Sequence, residues 1–212
     1  MHKDIFTILI GSFARGEGGL DSDLDILRIG HTRHIKRPKE ISNSIPVSYI
    51  DYNEFVFEEL YEKGSLFIYH AFNEGILLEG NKYKWEKLKE NFLVSLNHSE
   101  SIDEYLSLLE FIDDYPSYEL SYTPYLSNVF KAIKNIGIFR LANKRKYLFD
   151  KKSALIEGCG IPEYQANLFI KANNAFERSL MLSHASKITL RLFAQEWKIN
   201  QKNIIKRLSH DF

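Results

Sequence analysis

The feature that most constrains this chain is an apolar strand that runs into Gly-Ser, followed by a second strand that returns carrying two aspartates. Residues 5–10 are rich in isoleucine and stop at Gly11, the pattern of a buried strand. Residues 12–16 leave room for one or two helical turns, with Ser12 as the capping residue and Gly16 as the stop. Residues 23–29 then alternate Asp, Leu, Asp, Ile, Leu, Arg, Ile, which suits a strand with one polar face. Alternation places Asp23 and Asp25 on one side, roughly 6.5–7 Å apart at Cα, and sends Leu24 and Ile26 the other way, towards an expected core. Gly11 lets backbone approach a ligand closely. Free N–H groups at the start of the next helix favour phosphate, and the Ser12 hydroxyl adds a further donor. Two carboxylates side by side repel, and a divalent cation relieves that repulsion. Mg²⁺ is typically held by one or two carboxylates plus substrate phosphates.

A phosphate cradle and a two-carboxylate metal seat on consecutive elements suit nucleotidyl transfer. The stretch reads G-S-F-A-R-G, five residues, then S-D-L-D-I. It resembles the signature of the DNA polymerase β-like nucleotidyltransferase superfamily, close to its small bacterial members, the minimal and aminoglycoside nucleotidyltransferases. The tight resemblance covers about sixteen residues, and residues 66–80 are a weaker echo of the helix–Gly–strand segment that often closes such a domain. The resemblance implies an α+β chain, with a small mixed-sheet nucleotidyltransferase domain followed by an all-helical C-terminal domain. It implies Asp23 and Asp25 as catalytic metal ligands, Mg²⁺ or Mn²⁺ as the metal, and an NTP as donor. It also implies a third carboxylate on a later strand, for which Asp51 is the candidate: no other acid between Asp25 and Glu54 sits on a strand-like run. Gly11 and Ser12 would hold the nucleotide phosphates. Arg15 would contact phosphate or tie down Asp21, and Ser22 would bond a nucleotide or its own hairpin; the residues leave both alternatives open.

The rest of the first 80 residues reads as α/β: a polar loop over 31–45 with a basic stretch at 31–39, a strand at Val47–Tyr52, helices over 54–63 and 66–73, and a strand at Ile76–Glu79. Beyond Gly80 the spacing is helical: 83–96, then 102–114 with Ser101 and Glu104 as a capping box, then 125–143, 162–183 and 188–208. Residues 115–124 hold two prolines and read as a linker. The expected domains are 1–80 and 81–212, with the linker as the other place for the boundary. No apolar run approaches the roughly 18 residues of a membrane helix, no signal-peptide plan opens the chain, and the single cysteine, Cys159, excludes an internal disulfide. A cytoplasmic protein is expected, with no membrane partner.

Charge bears on the acceptor. The net charge is zero, yet residues 1–125 hold 12 basic and 22 acidic residues, and residues 126–212 hold 16 basic and 6 acidic. Residues 100–119 carry seven acids and suit a polycationic acceptor; residues 131–152 carry eight bases with interleaved aromatics and suit a triphosphate or an RNA backbone. The plainer reading pairs these two segments with each other or with another subunit. The acceptor is therefore open among a small molecule, a protein and an RNA end, and so is a protein partner or homodimer. Two other functions stand beside transfer: a nucleotide-binding regulatory or antitoxin-type module acting through a partner, and a helical-domain ribonuclease using Arg178 and His184, which resemble only loosely the pair of the HEPN ribonucleases.

Overall fold

The computed structural model describes residues 5–19, 22–30, 45–112 and 122–210. They divide into two compact units, Met1–Ser95 and Leu96–Phe212. The architecture is mixed α/β, with a four-stranded mixed sheet followed by helices.

In the first unit the strands are β1 (Phe6–Ile10), β2 (Leu24–Ile29), β3 (Val47–Tyr52) and β4 (Ile76–Glu79), in the order β3-β2-β1-β4. β1 runs antiparallel to β2 and β4, and β2 runs parallel to β3. Apolar alternation sets the register: Phe6 pairs with Ile29, Ile8 with Leu27 and Ile10 with Asp25. This row packs on α2 (Glu54–Glu62), α3 (Leu66–Glu74) and α4 (Lys82–Asn91) through Phe57, Ile68, Ala71, Phe72 and Trp85. Asn53 and Asn81 cap α2 and α4 by accepting from backbone N–H groups two residues inside each helix.

Trp85 moves the expected boundary. It is 3% exposed, with its ring 4.6 Å from that of Phe72 and 5.2 Å from that of Phe6. Ser95 N–H donates to Gly64 O at 2.9 Å. The sheet unit therefore runs through Ser95 rather than ending at 80, because α4 supplies an aromatic that the sheet face needs. The helix expected over 83–96 stops at Asn91, where Phe92 turns extended and packs its ring on Phe72.

The second unit is built round α6 (Tyr122–Asn143), which is buried on most sides. Against it lie α5 (Ser99–Ile112), α7 (Lys151–Ser153) with the π-helical turn Ala154–Gly158 that continues it, α8 (Glu163–Glu177) and α9 (His184–His210). Residue 101 lies inside α5 and is not its cap. The linker at 115–124 lies largely outside the described residues. Buried polar groups fix the helix pairing: Tyr125 donates to Gln201 Oε1 at 2.5 Å, Gln201 Nε2 donates to Leu109 O at 2.8 Å, and Ser127 donates to Asn173 Oδ1 at 2.9 Å. Among the described residues no helix is long and apolar enough to cross a membrane.

The π-helical turn crosses α6 where both chains lack side chains. A Cβ on Gly137 would lie 2.0 Å from Ala154 O, and one on Gly158 would lie 2.5 Å from Gly137 Cα. Gly137→Ala should therefore cost about 3 kcal/mol in a urea melt, since backbone must move. Gly19→Ala, with nothing within 4 Å of its Cβ, should stay within about 0.5 kcal/mol of the parent.

Candidate functional site

The turn after β1 determines how the site is made. α1 (Gly11–Ala14) starts at Gly11 itself, with φ +75°. Ile10 takes the cap position with extended backbone and no side-chain cap bond, so Ser12 sits inside the first turn and is not the cap expected from the sequence. A left-handed residue here must lack a Cβ for two reasons. An L side chain is strained at this φ, and its Cβ would stand 2.5 Å from Asp25 Oδ2. The carboxylate of Asp25 is thus packed directly on the turn that carries Ser12.

Asp25 ends the row that also holds Leu27 and Ile29, on the helix-covered face. The expected core side is thus one of two buried faces. Leu24, Ile26 and Arg28 occupy the other face, where Ile26 and Arg28 are buried as well. Asp23, just before β2, is half-buried like Asp25.

Asp51 does not join them. Its register partner is Arg28, on the face opposite Asp25. Arg28 donates from Nε to Asp51 Oδ1 at 2.7 Å and from Nη2 to Oδ2 at 2.9 Å, and its guanidinium lies 4.9 Å from the Tyr49 ring centre. The bonds to Asp51 raise the Arg28 pKa above its ordinary value, against the opposing effect of burial. The sequence pattern has no means of showing this pair: Arg28 sits in an alternating strand as though on an open polar face, but that face is covered and its charge needs a bidentate partner. Among the described residues no three His, Cys, Asp or Glu side chains gather as a metal cluster. The carboxylates that could hold a divalent cation completed by substrate phosphates are Asp25, packed on the Gly11 turn, and Asp23, two residues before it in the chain.

Arg15 and Ser22 are engaged structurally. Arg15 donates to Glu17 at 2.8 Å and to Glu74 at 3.2 Å. Burial opposes its charge, and these two carboxylates more than offset this, raising its pKa. Its other expected partner, Asp21, lies outside the described residues, as does the basic stretch at 31–39. Ser22 Oγ accepts from Gly19 N–H at 3.0 Å, closing the hairpin. Sequence reasoning missed Glu74 and the buried His70, whose Nδ1 is 3.2 Å from Glu74 Oε2. Their i, i+4 spacing on α3 was the available signal.

In the helical unit the two charged segments find other partners. Asp103 and Glu110 of α5 line a groove with Lys202 and Lys206 of α9. Lys131 pairs with Glu177 and Lys152 with Glu163, both on α8, each at 2.5 Å. Arg178 closes α8 and His184 opens α9, so they do not share a helix. Cys159 is buried and donates to Ile133 O at 3.3 Å. Burial pushes its thiol up to about 12, against the nearby charges of Arg140 and Arg207.

Two outcomes follow. Asp51→Ala strands the guanidinium of Arg28 and should cost about 2 kcal/mol in chemical denaturation, whereas the paired change Arg28→Met with Asp51→Leu should recover most of it. Raised to about 12, the folded-state Cys159 pKa keeps the thiol neutral at pH values where the unfolded chain already carries thiolate. At pH 8 the native protein should therefore react with a thiol reagent at least ~100-fold more slowly than the unfolded chain.

Comparison with protein-family models and with curated proteins returned no match for this chain.

Proposed function

We propose that the first unit is a metal-dependent nucleotidyltransferase that moves NMP from an NTP to a hydroxyl acceptor and releases pyrophosphate. The observation that supports this reading is the close packing of the Gly11 turn, where α1 begins, on the carboxylate of Asp25. The sequence motif supplies Asp23 beside it.

In this reading the N–H groups at the start of α1 and the Ser12 hydroxyl bind the β and γ phosphates, fixing the donor. Asp23 and Asp25 hold Mg²⁺ or Mn²⁺, which when bound neutralises phosphate charge and favours departure of pyrophosphate. The acceptor oxygen forms its bond to the α phosphorus as the bond to pyrophosphate breaks, and the acceptor proton passes to solvent or substrate. Asp51 has no part, being turned to the other face and bonded to Arg28. Arg15 supports the turn through Glu17 and Glu74.

The regulatory-module alternative draws on one observation. Ile188, Leu192 and Ile199 stand exposed at helical spacing along α9, the kind of stripe a partner covers. The ribonuclease reading has no such support: its pair is divided between the end of α8 and the start of α9.

The test is incubation of purified protein with each α-labelled NTP, Mg²⁺ and a cell extract, following label into RNA, protein or small molecules. Asp25→Asn and Asp23→Asn, shown folded by circular dichroism, should lower the transfer rate at least ~100-fold, while Asp51→Asn lowers it less than ~5-fold in the fraction that is folded. Nucleotide binding without turnover in the parent protein would favour the regulatory module instead.

A further inference from the structure

The second unit has a surface cavity of about 400 Å³ where the start of α8 meets the C-terminal half of α9. Trp197, Asn200, Asn203 and Arg207 line it from one face of α9, at steps of three or four residues. Pro162 and Gln165 line it from α8. Three kinds of donor at this cavity lack an acceptor among the described residues. Trp197 is 2% exposed, and its indole Nε1 is buried with no hydrogen-bond partner. Its ring packs edge-on to Phe169 at 4.7 Å and to Phe193 at 6.1 Å, and neither phenyl ring offers a lone pair. A buried indole N–H ordinarily finds an acceptor, and leaving it without one is unfavourable. Arg207 is exposed and makes no hydrogen bond or ion pair among the described residues. α8 begins after Pro162 without a side-chain cap, and its first helical bond runs from Ala166 N–H to Pro162 O at 3.0 Å, so the N–H groups of residues 163–165 are left to an outside acceptor. The amide nitrogens of Gln165 and Asn200 already donate to Tyr164 Oη and Glu196 O.

We infer that this cavity binds a small monocarboxylate with an apolar body, its carboxylate held by Arg207, the Trp197 indole N–H and the uncapped start of α8. Charge selects the class. Arg207 is the only charged side chain of the lining, so it matches one negative charge and not the two of a phosphate monoester. A guanidinium can take both oxygens of a carboxylate, and a helix start favours an anion. Pro162, Ile204 and the Trp197 ring offer apolar surface to the rest of the ligand. The site lies within the second unit and needs neither Asp23 nor Asp25, so it does not rest on the transferase reading.

The experiment is titration of the full, isotope-labelled chain with phenylacetate, without metal or nucleotide, following the indole N–H signals by NMR. The chain has two tryptophans, and Trp197→Phe identifies which signal is which. Phenylacetate should move the Trp197 signal in a saturable way and leave that of Trp85, in the other unit, in place. Arg207→Gln should weaken binding at least ~10-fold, while Lys187→Gln, exposed near the start of α9, changes it less than ~2-fold. Arg207→Gln should melt with the parent, since the side chain is exposed. Should it not, Asn203→Leu must weaken binding ~3-fold or more for the inference to stand. Phenylacetamide binding as tightly as phenylacetate, or inorganic phosphate binding more tightly, overturns the carboxylate assignment. A Trp197 signal unmoved by ~10 mM phenylacetate, or equal loss in Arg207→Gln and Lys187→Gln, overturns the site. None of these outcomes bears on turnover with Mg²⁺.

Discussion

The steric relation between Gly11 and Asp25 is the constraint on which the first unit depends. β1 must end in a left-handed residue for α1 to begin at once, and the neighbouring strand brings a carboxylate to within 2.5 Å of where a Cβ would be. Any larger residue would push the turn and the carboxylate apart. The pairing of Ile10 with Asp25 sets that approach, and it follows in turn from the apolar row of Phe6, Ile8, Leu27 and Ile29. Core packing and site geometry are therefore one register: a slip of one residue would turn Asp25 away from the turn and bring the Arg28 row against the helices in place of Leu27 and Ile29.

Much of this could be read in the sequence, and the misses have physical causes. The four strands lie where isoleucine-rich or alternating runs are bounded by Gly, Pro or Asn. Alternation also put Asp23 and Asp25 on one face, but it could not say which face is covered. Both are: Leu27 and Ile29 pack on helices, while Ile26 and Arg28 are buried on the other side. That ambiguity is why Asp51 looked available as a third carboxylate. Its pairing with Arg28 depends on a parallel alignment of β3 with β2, a long-range contact with no local signature. The domain boundary was misplaced for a similar reason. Gly80 ends a strand, but Trp85 and Phe92 belong to the sheet's own core.

The helical unit was less legible. The short α7 and the π-helical turn that follows it pack at Gly137 and Gly158, and two glycines twenty-one residues apart carry no periodic signal. The charge split survives in a sharper form. Acidic α5 faces basic α9, and α8 takes up Lys131 and Lys152.

The most direct test of the central claim is a crystal of the protein grown with Mn²⁺ and a non-hydrolysable NTP analogue, with the anomalous signal used to locate the metal. The account predicts a manganese peak within ~2.5 Å of carboxylate oxygens of both Asp23 and Asp25, with the analogue's terminal phosphates on the backbone N–H groups that follow Gly11. A peak bound instead by Asp51, with the Arg28 pair broken, or phosphates seated away from the Gly11 turn, would contradict it.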